Sequence, residues 1–290
     1  MIKAFDASSE LTLKNPLYKE WVDRYTFEEL KKDLAENGDI TSETLVDPDR
    51  LATARVVSKS SGIFCGAMEA RYFLSDKFII TDMRSDGELV GVEDSVLEFE
   101  GKARDVLAYE RVLLNLIMRM SGVATAAKKF VDAAGDTLVV PTRKTLWGLL
   151  DKRACSVGGG GTHRLNLSDA VLIKDNHLDL SGRDIDKALN KGFGDPRFIE
   201  IEVENTDEAE AAFKAFEKIQ GVPKVIMFDN MRPKEIAEFV KDHRGDVLFE
   251  ASGGITLDNV KDYAETCVDV ISTSAITMDA RSLNFSLIAQ

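Results

Sequence analysis

The sequence predicts an α/β protein whose second half carries a parallel sheet, wound either as a barrel or as an open doubly wound sheet. Three observations predict it. From about residue 137 onward, short apolar strand candidates alternate with helical segments at about 25-residue spacing, the pattern of parallel strands joined by right-handed crossovers. The first hundred residues have a different texture, with several short strands among helices, and read as a mixed α+β unit. Polar residues stand at or just past the C-terminal end of nearly every strand candidate in the second half, the end at which barrels and parallel sheets bind ligands.

Taken in order, residues 1–25 show no clear period and read as an arm. Charges are scattered through them and no apolar h-region is present, so they do not read as a signal peptide. Apolar residues at helical spacing predict a helix over 27–34, stopped by Asn37-Gly38-Asp39. Alternation predicts a strand over 53–60, followed by a Ser61-Gly62 turn and a helix over 67–74. Strands are expected at 78–80 and 95–101. A long helical pattern then covers 102–120, with Val106, Leu107, Leu113, Leu114, Ile117 and Met118 on its apolar side. Ser121-Gly122 is read as an interruption, with a further helix over 124–134. The strands of the second half are expected at 137–141, 170–174, 198–202, 224–229, 247–250 and 268–272. Helices are expected at 147–157, 185–191, 207–219, 233–243 and 257–265.

Composition excludes several function classes. Of 290 residues, 50 are acidic and 37 basic, a formal net charge of −13. That balance argues against a nucleic-acid or anionic-membrane surface, both of which need a basic face, but leaves room for a local basic pocket around a small anion. No apolar run approaches the ~20 residues that span a bilayer. Cys65, Cys155 and Cys267 are few and widely spaced, without a CxxC, so neither a disulfide framework nor a structural zinc is expected, and the cytoplasm is the expected compartment.

The strand ends carry the candidate chemistry: Thr142-Arg143-Lys144, Lys174-Asp175-Asn176-His177, Glu200 and Glu202, Asp229-Asn230, Ser252-Gly253-Gly254 and Ser272-Thr273-Ser274. Residues 142–174 are locally basic, with Arg143, Lys144, Lys152, Arg153, Arg164 and Lys174 against only Asp151 and Asp169. Such a set suits a polyanion, because Arg forks onto carboxylates and Lys supplies point charges. The run Gly158-Gly159-Gly160-Gly161 reads as a loop, or as a turn that passes close to a ligand before presenting His163-Arg164. Ser252-Gly253 and Ser272–Ser274, at the last two strand ends, suit a phosphate. Glu202 and Asp229 are acids in a basic setting; they either form salt bridges across the mouth or hold Mg²⁺ beside a pyrophosphate. Cys155 sits in a helical pattern and reads as packing.

These segments occur together and in one order: Thr142-Arg143-Lys144-Thr145, the glycine run with Thr162-His163-Arg164, Leu172 through His177, Ile201-Glu202-Val203, Phe228-Asp229-Asn230 and Glu250 through Gly254. With Gly38-Asp39-Ile40-Thr41 and the stretch from Glu110-Arg111 to Ser121-Gly122, the chain resembles the quinolinate phosphoribosyltransferase family from about Phe27 onward. Pro141, Trp147, Thr162 and Ser274 depart from the usual pattern of that family. The resemblance implies an N-terminal α/β sandwich over 1–115, joined by 279–290, and a C-terminal incomplete α/β barrel over 116–278. It implies transfer of phosphoribosyl from phosphoribosyl pyrophosphate to quinolinate with decarboxylation, a step of NAD synthesis that uses Mg²⁺. It also implies a homodimer with shared active sites, or a higher oligomer built on it. By position, Thr142, Arg143, His163, Arg164 and Lys174, with Arg111 from the partner, would surround the quinolinate. Lys144 would lie near the phosphates, Glu202 and Asp229 near the ribose and metal, and Ser252, Gly253, Ser272 and Ser274 would hold the 5′-phosphate. Three other readings fit the same residues: a transferase acting on nicotinate or another pyridine acid without decarboxylation, a barrel aldolase forming a Schiff base on Lys174, and a catalytically dead ligand-binding relative.

Overall fold

The structure is a computed structural model and describes residues 2–243 and 245–290; Met1, which opens the expected N-terminal domain, lies outside them. In chain order the strands are β1 (Leu51–Ser58), β2 (Gly62–Ile63), β3 (Ile79–Met83), β4 (Leu89–Val90), β5 (Ser95–Lys102), β6 (Leu138–Pro141), β7 (Val171–Ile173), β8 (Ile199–Val203), β9 (Lys224–Asp229), β10 (Val247–Ser252), β11 (Val270–Thr273) and β12 (Phe285–Ala289). By compactness the chain divides into one unit of residues 10–128, 146–159 and 280–290, and another of residues 2–9, 129–145 and 160–279. The boundary expected after residue 115 lies within the helix Ala103–Ala134.

The first unit is built on an antiparallel sheet of order β12-β1-β5-β3. Side chains alternate across a strand, and the pairing sets Ala54 opposite Phe99 and Val56 opposite Leu97 on one face. That face forms one apolar cluster with Phe73 and Leu74 of the helix Ala67–Leu74 and with Val106, Leu113 and Ile117 of the long helix. Each such buried side chain contributes roughly 1.5–3 kcal/mol. The result is the expected sandwich of sheet and helices.

Three local expectations are corrected. The long helix is not interrupted: Ala103–Ala134 runs through Ser121-Gly122. Ser121 exchanges hydrogen bonds with the backbone of Cys65, and a Cβ on Gly122 would overlap the Arg281 carbonyl oxygen. The pair is there for close packing, not to break the helix. The first 25 residues are not an unstructured arm either. They hold 3₁₀ turns at Ile2–Phe5 and Ser8–Glu10 and a helix at Pro16–Tyr25. Asn15 caps that helix by accepting from Leu17 N at 3.0 Å, with Pro16 at its first position. Residues 40–45, not expected to be helical, form the helix Ile40–Leu45, capped by Asp39.

The second unit holds the six parallel strands in the order β6-β11-β10-β9-β8-β7. A doubly wound sheet reverses its strand order at a switch point. Here β7 to β11 follow one another without reversal and β6 adds beside β11, the order of a barrel. No pairing joins β6 to β7 among the described residues, so the barrel is incomplete. The strand period of two stacks the residues of one face in tiers. Ala170, Phe198, Val225, Leu248 and Val270 make an apolar lowest tier with Phe5 and Val140. Two residues further along stand Leu172, Glu200, Met227, Glu250 and Ser272, and two further still Lys174, Glu202, Asp229, Ser252 and Ser274.

Candidate active site

A cavity of about 630 Å³ opens over the upper tiers, within the range of small-molecule sites. Thr142, Arg143, Lys144, His163, Arg164, Lys174, Glu202, Asp229, Ser252, Gly253, Ser272 and Ser274 all line it. Most of the strand-end positions named from the sequence therefore meet in one place; Asp175, Asn176 and Glu200 are not among the lining residues, and His177 lines a separate cavity. Arg111 also stands apart. It lies on the helix Ala103–Ala134, its side chain 62% exposed, and lines a different cavity of about 480 Å³ with Tyr25, Glu29, Lys32, Asp33 and Trp147.

One side of the barrel cavity is cationic. Arg164 is buried, and burial and then the like charge of Arg143 lower its pKa. Lys174, at the end of β7, pairs with Glu202, at the end of β8. Burial raises the Glu202 pKa; Lys174 opposes this, and Asp229 and Asp175 add to it. Other parts of the lining are hydroxyls and backbone. Ser272 Oγ donates to Ser252 Oγ at 2.9 Å, and Thr273 Oγ1 donates to Ile255 O at 2.7 Å. Asn230 N donates to Ser252 O at 2.9 Å, tying the loop after β9 to that after β10. Thr142 Oγ1 accepts from Lys144 N at 3.1 Å, and Thr277 Oγ1 donates to Lys144 O at 2.7 Å, which fixes the loop after β6.

Beneath the cavity lies a group the sequence reading missed as a set. His163 Nε2 stands 3.4 Å from an oxygen of Glu200 and 3.4 Å from one of Glu250, and both acids are fully buried. Burial and then Glu250 push Glu200 up to about 7. The three side chains are the donor types of a metal site. His163 Nδ1 accepts from Arg164 N at 2.7 Å, which turns Nε2 toward the two acids; burial opposes a charge on the ring, but Glu250 and then Glu200 push its pKa up to about 9. The signal for these acids was spacing: Glu200 lies two residues before Glu202, and Glu250 two before Ser252, on the same faces.

Residues 39–121 match the family described as quinolinate phosphoribosyl transferase, N-terminal domain, and residues 123–288 match its C-terminal domain. The chain belongs to the quinolinate phosphoribosyltransferase family. A curated relative from Methanothermobacter thermautotrophicus, a probable nicotinate-nucleotide pyrophosphorylase (carboxylating), is 37% identical over 265 residues, covering 86% of this chain and 92% of its own. Quinolinate phosphoribosyltransferase (decarboxylating) 1b of Nicotiana tabacum is 32% identical over 282 residues, covering 89% and 79%. Among solved structures, the nicotinate-nucleotide pyrophosphorylase of Francisella tularensis superposes with a TM-score of 0.82 at 34% identity, covering 93% of this chain and 96% of that one. As a member of the quinolinate phosphoribosyltransferase family this chain is a pentosyltransferase, which removes the barrel-aldolase reading of Lys174. No helix among the described residues is long and apolar enough to cross a membrane.

Proposed function

We propose that the chain transfers phosphoribosyl from phosphoribosyl pyrophosphate to the ring nitrogen of quinolinate and releases CO₂, giving nicotinate mononucleotide and pyrophosphate. The observation that carries this reading is a single cavity lined both by Arg143, Arg164 and Lys174 and by the Ser252, Gly253, Ser272 and Ser274 turns. The first set complements two carboxylates, which guanidinium forks and an ammonium bind in fixed orientation. The second suits a phosphate monoester held by hydroxyls and strand-end amides.

Breaking the bond to pyrophosphate leaves positive charge on the ribose ring carbon, as in glycoside chemistry. Glu202 and Asp229 are the acids that stabilise it, and Lys144 is the cation that stabilises the leaving phosphates. The same two acids fit a magnesium ion. They are oxygen donors facing shared space, since Asp229 acts on Glu202 electrostatically, and Mg²⁺ is usually held by one or two carboxylates together with substrate phosphates. Bound there, Mg²⁺ supplies Lewis-acid stabilisation of the leaving pyrophosphate. Arg143, Arg164 and Lys174 then keep the pyridine fixed while its 2-carboxylate departs as CO₂; the electron pair left on the ring carbon is stabilised by the adjacent positive ring nitrogen and takes up a proton from solvent, giving nicotinate mononucleotide.

The exposed Arg111 guanidinium supports a homodimer in which Arg111 completes the partner's cavity. Three unbridged cysteines support a reducing, cytoplasmic setting. Incubating the protein with quinolinate, phosphoribosyl pyrophosphate and Mg²⁺ tests the reading. The expected products are pyrophosphate and nicotinate mononucleotide; consumption of nicotinate in preference to quinolinate would contradict it.

A further inference from the structure

The cavity of the barrel unit has a floor, and part of that floor comes from the start of the chain. Phe5 is fully buried in the lowest apolar tier. Its ring stacks on Phe198 at 4.7 Å and meets His163 edge-on at 5.2 Å. Its carbonyl accepts from Thr162 N at 2.8 Å and from His163 N at 3.0 Å, and Ala7 N donates to Thr162 Oγ1 at 2.9 Å. The segment passes so near that a Cβ on Gly161 would lie 2.9 Å from Phe5 O. The last glycine of the 158–161 run is therefore where the chain must leave room for residues 2–9.

His163 itself has φ +53, a left-handed conformation that a non-glycine residue keeps only where its surroundings enforce it, and such residues gather at functional sites. Phe5 supplies two of the constraints on it, the accepting carbonyl and the aromatic edge. His163 and the following Arg164 line the cavity. Residues 2–9 lie outside the stretch that matches the family, which starts at residue 39.

We propose that Phe5 is a positioning residue for the pyridine end of the site, acting through His163 to set the direction of Arg164. The proposal rests on the reading that this cavity binds quinolinate. Its test compares the wild-type protein with Phe5→Ala and Phe5→Leu. Three quantities are measured: the quinolinate Kd by calorimetry, the KM for phosphoribosyl pyrophosphate at saturating quinolinate, and the thermal midpoint. Phe5→Ala should weaken quinolinate on the order of tenfold and leave the phosphoribosyl pyrophosphate KM within about twofold, because misplacing one anchoring group disturbs only what it anchors. Phe5→Leu restores most of the volume but not the ring edge on His163, and should still weaken quinolinate about threefold with the phosphoribosyl pyrophosphate KM unchanged; it carries the test if the alanine variant fails to fold. A variant that melts earlier yet binds quinolinate as the wild type does would make Phe5 a core residue only and overturn the proposal, as would equal losses for both substrates. If the wild-type protein itself does not bind quinolinate, the proposed function falls first, and this inference with it.

Discussion

Arg164 is buried beside a cavity that also holds Arg143, and burial and then that neighbour's like charge lower its pKa, so two guanidiniums share the need for an anion. A substrate with two carboxylates answers both, whereas nicotinate, with one, leaves a cation unmatched. Arg143 is exposed and only Arg164 is buried, so quinolinate should be preferred by about 1.5–3 kcal/mol in kcat/KM, the usual worth of a hydrogen bond to a charged group; equal turnover of the two acids would remove the argument. Asp229 makes a separate case, because it is partly exposed and its recorded partner is the neighbouring Asn230 amide. Asp229→Asn should lower kcat about 10²-fold or more while leaving the calorimetric quinolinate Kd within about twofold, as expected for a group acting on transition-state charge. A parallel loss of quinolinate binding would mean that Asp229 organises the pyridine pocket. The upper tier of this cavity was legible in the sequence because barrel strands project polar ends toward one rim. Glu200 was named only beside Glu202, and Glu250 and Phe5 were given no role. Glu200 and Glu250 lie inside apolar-looking strands, and Phe5 reaches His163 across 158 residues of chain, a pairing that no local pattern encodes.

Elements were legible where one period ran long enough, as in the helix Phe27–Leu34 and the strand Lys224–Asp229, whose bounds are as expected. They were misread where a residue's packing partner overrode its local habit, as at Ser121-Gly122 inside the long helix. The helix Ile40–Leu45 was missed because six residues are too few to show a period, although its cap is written plainly. Asp39 accepts from Thr41 N, Ser42 N and Ser42 Oγ, and its pKa is lowered by the Ser42 hydroxyl, then by the Ser42 amide. Asp39→Ala should cost about 1 kcal/mol of stability. A lowered carboxyl pKa contributes above the unfolded value of about 3.9 and loses its effect as pH falls through the folded one. The difference in thermal midpoint between wild type and variant should therefore be full at neutral pH and shrink as pH falls below the unfolded value. A gap that persists in acid would show that the charged cap is not what the helix uses.

At the scale of the whole molecule, Arg111 is the residue that makes the proposed homodimer testable. Arg111→Ala and Lys174→Ala should each be inactive. Dissociated, mixed equally and reassociated, they should regain about a quarter of wild-type activity, because about half the dimers are mixed and each mixed dimer has one intact site. Demonstrated exchange without recovered activity would place the action of Arg111 within its own chain, or nowhere. The pairing of β12 with β1 has a different consequence, one of timing. Residues Ala54–Ser58 of β1 take their outer partners from Phe285–Ala289, so the sheet begun by residue 51 has one side unfinished while the whole barrel is being synthesised. At roughly 5–20 residues per second that wait lasts on the order of 10–50 s, with a bare strand edge of the kind that recruits other chains. Ribosome-bound chains stalled at residue 279 should show fast amide exchange along β1 and slow exchange once residue 289 is free. Equal protection in both would mean that the nascent sheet has found another cover, and that a chaperone is not needed to shield it.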